Sequence, residues 1–408
     1  MKKRTLILYG LAAVAVVVLG ALAGWYFFLR SQTGATQALG AERGFNAQIP
    51  AGNGGIGGTD AGGAPGASDA TGTSTATKNI APPQLWHVAE APAAGVGFAT
   101  STTGSRLRYA ERATGYIFEA DPSNGGIVRL TNSLMPKTYE AYFAAGNRVI
   151  ERSVDASGAV TTFAGLIDAQ ATSTALSGTS LVPGILEVAP DPKNSQLFFL
   201  QPQGSGVAGM VSQWNGSKQS RVFSSALPDW NVWWLQDGRM ILAQKAADSL
   251  AGYAYTLKGG VLNPLLGPLP GLGILPRTGS SALLYSTSSG GRIALFAQTS
   301  ATTSASRLAV VTLADKCAWA PGQELIAYCA VPQSTPVKGF LDEWYRGEIH
   351  SSDALWRIDA GTGQAELMFT PATNVSLDVI NPVVDDAGAY IAFINAADGS
   401  PWLLRLNK

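Results

Sequence analysis

The chain predicts an all-β fold, a seven-bladed β-propeller preceded by one N-terminal transmembrane helix and a disordered linker. Three observations carry that prediction: an uncharged apolar run at Leu6–Leu29, a Gly-rich stretch after it, and strand-like runs recurring about every 42 to 48 residues from residue 81 onward. The corresponding divisions are 1–30 (cytoplasmic stub and anchor), 31–80 (linker) and 81–408 (propeller).

Lys2, Lys3 and Arg4 precede the apolar run. As a helix it would rise about 36 Å, enough to cross a bilayer core of roughly 30 Å with some tilt. Trp25, Tyr26, Phe27 and Phe28 close its distal end, where Trp and Tyr favour the interface. Three positive charges before the span, against Arg30 just after it, put the N-terminus in the cytoplasm and the propeller on the extracytoplasmic side. The expectation is a single-pass signal-anchor that meets the cytoplasmic membrane through residues 5–29. A cleaved signal peptide competes with it, because Ala21-Leu22-Ala23 resembles an A-x-A site, although the apolar run continues past that site.

Residues 31–80 hold 12 Gly and five charged residues, and Gly52–Gly66 is almost entirely small side chains. Such a stretch buries too little apolar surface to offset its ordering entropy. It predicts a flexible tether with a reach on the order of 40 Å.

Beyond residue 80, strand cores recur at Arg106–Ala110, Arg148–Ser153, Gln196–Leu200, Arg239–Ala243, Ser281–Tyr285, Leu325–Cys329 and Ala389–Ile394, and no amphipathic helix is legible. The spacing of the first six is that of a four-stranded blade. In the fourth repeat the strands read Asn231–Gln236, Arg239–Lys245, Gly252–Lys258 and Val261–Leu266, with Asp237-Gly238 as a hairpin turn. The last repeat supplies three strands, Asp378–Val384, Ala389–Asn395 and Pro401–Leu406, while Gln84–Ala89 is spare before the first. Pairing these would close a ring and remove two exposed edges. Six or eight blades are the alternatives, since the second repeat's outer strand, around Thr174–Val182, is weak.

Cys317 and Cys329 flank the turn Pro321–Glu324, with Gln323 midway between them. A hairpin centred there sets the two cysteines directly opposite, about 4.5–5.5 Å apart at Cβ, near what a disulfide needs. The extracytoplasmic location permits the bond. The alternative is a pair of buried thiols in a strand core.

Lys and Arg number 28, as do Asp and Glu, and only 14% of residues are charged. A nucleic-acid binder needs a basic footprint, which is missing here. His87 and His350 are the only histidines and the cysteines are two, so a His- or Cys-built metal site is not expected. There is no phosphate-binding loop or EF-hand loop, and no cofactor is expected. Removing residues 1–80 takes away six basic and three acidic residues, which leaves the propeller slightly acidic.

Ala189-Pro190-Asp191-Pro192-Lys193, Trp319-Ala320-Pro321-Gly322-Gln323 and Val384-Asp385-Asp386-Ala387-Gly388 each precede an apolar strand. They resemble the S-P-D-G-x turn of TolB-like and WD-like propeller repeats, of which only fragments survive here, so the likeness speaks to fold and not to a TolB function. Asp315-Lys316-Cys317-Ala318-Trp319, Tyr328-Cys329-Ala330-Val331-Pro332 and Trp344-Tyr345-Arg346-Gly347 extend the pattern. The whole is similar to membrane-anchored propeller proteins of Patescibacteria, a resemblance that transfers a location and a fold.

The longest interruption, Pro332 to Asp353, contains Asp342-Glu343-Trp344-Tyr345-Arg346 and then His350. By the propeller resemblance, a loop between second and third strands lies on the ligand-binding face, over the channel mouth. Blade-linking loops would bring Lys137, Tyr139, Asp229, Trp230, Lys316 and Asp378 nearby. Asp342, Glu343, Trp344, Tyr345, Arg346, Trp230 and Asp229 are therefore the candidate ligand-binding residues: flat aromatic faces stack and charged groups orient. The competing reading has Trp344 and Tyr345 packing the insertion onto the blade, with Asp342 or Glu343 paired to Arg346. Trp230 and Trp234 share one strand face and Trp233 takes the other, which favours core packing for the tryptophan cluster. No catalytic residue is assigned. The sequence favours a binding or assembly module for an envelope protein, peptide or glycan. The alternative is a carbohydrate-active or peptide-cleaving envelope enzyme using acids at the mouth (Asp342, Glu343, Asp353, Asp229), with Asp229 as a distant partner to the adjacent pair.

Overall fold

The computed structural model describes residues 81–101, 104–168, 174–193, 195–248 and 250–406. The predicted anchor and linker lie outside the described residues. No helix among the described residues is long and apolar enough to cross a membrane.

Seven four-stranded antiparallel sheets follow one another along the chain. The first strand, β1 (Leu85–His87), is set apart from its sequence neighbours. Blade 1 is β2 (Ala93–Ser101), β3 (Gly104–Glu111), β4 (Ile117–Ala120) and β5 (Ile127–Arg129). Blade 2 is β6 (Thr138–Ala144), β7 (Arg148–Val154), β8 (Val160–Leu166) and β9 (Ser177–Ser180). Blade 3 is β10 (Glu187–Pro190), β11 (Gln196–Gln203), β12 (Gly206–Gln213) and β13 (Ser220–Ser225). Blade 4 is β14 (Trp230–Trp234), β15 (Met240–Gln244), β16 (Ala251–Lys258) and β17 (Val261–Pro270). Blade 5 is β18 (Gly273–Pro276), β19 (Leu283–Ser289), β20 (Arg292–Gln298) and β21 (Ser306–Arg307). Blade 6 is β22 (Cys317–Trp319), β23 (Ile326–Pro332), β24 (Asp353–Asp359) and β25 (Ala365–Phe369). Blade 7 is β26 (Val379–Val384), β27 (Tyr390–Asn395) and β28 (Pro401–Arg405), completed by β1 as its outer strand.

The count of seven and the closure both follow the sequence reading. Each strand core picked out by the repeat lies within or overlaps the second strand of a blade. Closure pairs Leu85 with Leu404, Trp86 with Leu403 and His87 with Trp402. His87 stacks on Trp402 with ring centroids 4.4 Å apart, a structural use of that histidine. The weak outer strand of the second repeat exists, as four exposed residues.

Seven apolar clusters fill the seven boundaries between neighbouring blades. A blade buried on both faces needs apolar side chains at successive positions, which is why second strands such as Leu197-Phe198-Phe199-Leu200 do not alternate. The tryptophan strand shows the division: Trp230 and Trp234 belong to the cluster between blades 3 and 4, and Trp233 packs between blades 4 and 5.

Antiparallel order sorts the connections onto two faces. First-to-second and third-to-fourth turns lie on one, the lower face. Second-to-third loops and blade-to-blade linkers lie on the other, the upper face. On the lower face Asp191 Oδ1 accepts the backbone N–H groups of Ser195 and Gln196, and Asp385 Oδ1 those of Ala389 and Tyr390. In these two of the three turns singled out in the sequence, the aspartate carboxylate closes the turn that starts a second strand.

Cys317 and Cys329 are directly opposite on β22 and β23, and they are disulfide-bonded. The insertion differs from the sequence reading in one respect. It contains a short helix, α1 (Phe340–Tyr345), where no helix was legible. Six residues are too few to display a periodicity. Phe340, Leu341 and Trp344 are buried against the cluster between blades 7 and 1.

Candidate functional site

The insertion leaves blade 6 on the upper face and runs across it as a strap. At blade 4, the Asp248 N–H donates to Asp342 Oδ1 at 2.9 Å. At blade 5, Gly291 approaches the Val337 carbonyl so closely that a Cβ there would lie 2.5 Å from the oxygen. On the linker entering blade 6, Asp315 Oδ2 accepts the Tyr345 hydroxyl at 2.9 Å, and on the linker entering blade 7, Asp378 takes the Trp344 indole N–H at 2.8 Å. A loop of this length pinned to four blades has little freedom left.

At the blade 6–7 boundary the strap meets a buried ammonium. Lys316 lies at the end of a short 3-10 turn (Ala314–Lys316) and is fully buried. Its Nζ donates to Asp378 Oδ1 at 2.6 Å, Asp353 Oδ2 at 2.8 Å, Ser351 Oγ at 2.9 Å and the Val379 carbonyl at 3.2 Å. It also sits 4.6 Å from the Trp344 ring centroid, a cation–π contact. A buried charge is tolerable only when its partners surround it, and these five do.

Asp378 is the hub. Besides Lys316 and Trp344 it accepts the Ser351 hydroxyl at 2.8 Å and His350 Nδ1 at 2.9 Å, and its own N–H is held by Asn395 Oδ1. Burial alone would push its carboxyl upward. The Lys316 ammonium and the hydrogen bonds from Lys316, Trp344 and Ser351 outweigh that, and hold it below the ordinary carboxylate range. On the strap side, burial and the Asp315 carboxylate keep the Tyr345 hydroxyl well above its ordinary pKa, so Tyr345 remains a neutral donor. His350 is the member of the hub that reaches solvent, with 39% of its side chain exposed.

The predicted ligand-binding residues do not form one open site. Trp344 is 2% exposed, with one ring contact to Lys316 and another to Phe340. Asp342 is engaged by Asp248, and Glu343 lies in the helix beside Gly339. Arg346 pairs with Glu348 through two bonds of 2.8 Å, where the sequence suggested Asp342 or Glu343. Asp342, one turn back on the helix, instead accepts the Asp248 N–H, and Glu348, just past the helix end, takes both guanidinium bonds. Trp230 is buried between blades 3 and 4, its indole N–H donating to the Leu227 carbonyl at 2.7 Å. Asp229 is exposed beside it.

The structure does bring Trp344, His350 and Asp353 onto Lys316 and Asp378, all of which the sequence assigned to one face. Ser351 and Asp248 are missing from the sequence-based candidates, and Asp315 figures there only within the Asp315–Trp319 run. Ser351 and Asp315 each neighbour a residue that was singled out, and that adjacency was their one signal.

No protein-family model matches the chain, and no curated protein matches it. Among solved structures it is similar to oligogalacturonate lyase from Vibrio parahaemolyticus, at 8% identity and a TM-score of 0.54, over 79% of this chain and 94% of that one. It is also similar to a catalytically inactive variant of virginiamycin B lyase from Staphylococcus aureus, at 12% identity and a TM-score of 0.50, over 79% and 99%. TolB from Acinetobacter baumannii matches at 10% identity and a TM-score of 0.42, over 73% and 61%. The fold is a seven-bladed β-propeller. At these identities the likeness extends to the architecture and not to an activity.

Proposed function

We propose that the propeller is a binding or assembly module held on the extracytoplasmic side of the cytoplasmic membrane by an N-terminal signal-anchor and a flexible tether. Its partner is an envelope protein, peptide or glycan. The observation that carries this reading is the state of the acids at the upper face. Asp353 and Asp378 both bind Lys316 and are completely buried, and Asp342 is engaged by Asp248. Paired carboxylates for glycoside hydrolysis must flank a substrate in an accessible site, and acids neutralised under a strap serve its rigidity instead. A rigid, pre-ordered surface suits binding because little ordering entropy is lost on association.

The test is crosslinking in cells with a photoreactive residue at Arg346 on the upper face or at Asp237 on a lower-face turn of the full chain. The expected result is a discrete crosslinked partner from Arg346 and none from Asp237. Equal or reversed yields would remove the upper face from this reading. Protease digestion of intact spheroplasts should cut the propeller, and protection would overturn the topology.

The enzyme reading has one observation in its favour: His350 presents an imidazole to solvent with a buried carboxylate behind it, the arrangement of an oriented general base. It predicts turnover of an envelope polymer that is abolished in His350→Ala.

A further inference from the structure

On the lower face, between blades 3 and 4, lies a groove of about 310 Å³. That is the small end of the range that holds small-molecule ligands. Its floor is apolar: Met240 and Leu257, cross-strand partners on β15 and β16, with Val222 of β13 beside them. One wall is the turn between β16 and β17, where Gly259 and Gly260 both take positive φ, at 59° and 81°. Gly260 sits against the outer strand of blade 3, so that a Cβ there would lie 3.5 Å from the Val222 carbonyl oxygen. Backbone on both sides sets the width, and the glycines keep that wall free of side chains.

Two cations line the groove, Arg221 from blade 3 and Lys258 from blade 4, and both are exposed. Neither makes an ion pair or a side-chain hydrogen bond among the described residues. No acidic side chain lines the groove. The lower-face turns of blades 3 and 4 that frame it add Lys193, Lys218 and Arg239, against Asp191 and Asp237. Asp191 is buried closing its own turn, and Asp237 is paired with Arg239 at 2.6 Å. The two acids are thus already bonded while Arg221 and Lys258 are free, and the local field is positive.

A positive rim over an apolar floor selects an anion that carries an apolar group. Inorganic phosphate would leave the floor uncovered, and a membrane surface would meet the rim alone. A sugar would find no aromatic face to stack on, because none lines the groove. A carboxylate next to an aliphatic side chain satisfies both halves: the carboxylate takes charge-assisted hydrogen bonds from Arg221 and Lys258, and the side chain covers Met240 and Leu257. We propose that this groove binds small aliphatic carboxylates, of the class of acyl amino acids and the free ends of short peptides. It lies on the face away from the strap, and a ligand of this size adds no partner band to crosslinking at Asp237.

The test is methyl NMR of the full chain in phosphatidylcholine nanodiscs, labelled at its five methionines, with Met240→Leu identifying the Met240 signal. N-acetyl-leucine should move that signal saturably. N-acetyl-leucinamide, which lacks the charge, and N-acetylglycine, which lacks the side chain, should bind about tenfold more weakly or not at all. Arg221→Gln and Lys258→Gln should each weaken N-acetyl-leucine about tenfold, as for one hydrogen bond to a charged group. Arg292→Gln, at an exposed position on the upper face, should leave the affinity unchanged. The three replaced side chains are exposed, so the variants keep the fold, and melting curves check this. No movement of the Met240 signal at tens of millimolar N-acetyl-leucine would overturn the proposal. So would equal binding of the amide, unchanged affinity in both cation variants, or inorganic phosphate binding as tightly. Movement of the signal on adding phosphatidylglycerol to the nanodisc alone would assign the groove to lipid headgroups and overturn it as well. The binding-module reading rests on the upper face, and each of these outcomes leaves it as it stands.

Discussion

Lys316 shows how a single side chain decides the packing around it. Its ammonium neutralises Asp353 and Asp378 and, through them, fixes the strap and the first strand of blade 7. Lys316→Met would leave two buried carboxylates without their cation, a loss of about 3–5 kcal/mol of stability, measurable by urea denaturation. Adding Asp353→Asn and Asp378→Asn to that variant should recover much of the loss, because the uncompensated charge goes with them. Glu151 is the opposite case. It is buried, cross-strand to Ala141 and Phe163 on the blade 1 side of blade 2, and neither carboxyl oxygen has a hydrogen-bond partner among the described residues. Burial pushes its pKa up to about 8. The folded state then holds a proton that the unfolded chain has released, so stability falls as pH rises from about 4.5 to about 8 and levels off above. Glu151→Gln should flatten that slope, and melting temperatures across this pH range would report it. An unchanged slope would place its cause in another group.

At the scale of elements, legibility in the sequence tracked how local the determining interactions are. The disulfide could be read because a hairpin's register follows from its midpoint, and Gln323 fixes that midpoint. The strap could be located from the length between β23 and β24. Its interior could not be read, because Trp344 looks the same whether it stacks on a ligand or covers Lys316. What decides between these is a lysine 28 residues earlier in the chain and an aspartate 34 residues later, brought together only by ring closure. Arg346 is a related case: what takes Asp342 away from it is the Asp248 N–H, 94 residues earlier in the chain, and Glu348 is then its partner. The disulfide spans a separation of 12 residues, so reduction, or Cys317→Ser with Cys329→Ser, should cost about 2–3 kcal/mol by the loop-closure argument. A matching drop in the denaturant midpoint, with the slope unchanged, is the expected signature. The prolines of β17 matter at this scale as well. Pro264, Pro268 and Pro270 withhold N–H groups from an otherwise exposed ten-residue edge strand, which blocks further pairing there.

For the whole molecule the decisive contact is β1 on β28. Every other blade is made from one continuous stretch of chain, so it can form locally. Blade 7 alone joins segments more than 300 residues apart, as in the bond between Gln84 and Arg405. Closure buries Val88, and packs the half-buried Trp86 and Ala89, in the same cluster as the strap's Phe340, Leu341 and Trp344. The ring and the upper face are thereby one packing problem, and loss of β1 should be felt at both. A chain beginning at Glu90 would expose the whole length of Pro401–Arg405 as an unpaired edge. Such edges associate, so this truncation should show concentration-dependent oligomers by light scattering and a lowered melting temperature. A synthetic peptide of residues 81–92, added in trans, should restore the monomer by supplying the missing strand. Trp344 fluorescence should shift toward that of exposed indole in the truncated chain and return with the peptide, read in a background where the other tryptophans are replaced by Phe. A truncated chain that stays monomeric and melts as the full ring does would mean that the seven inter-blade clusters hold the circle without its closing strand.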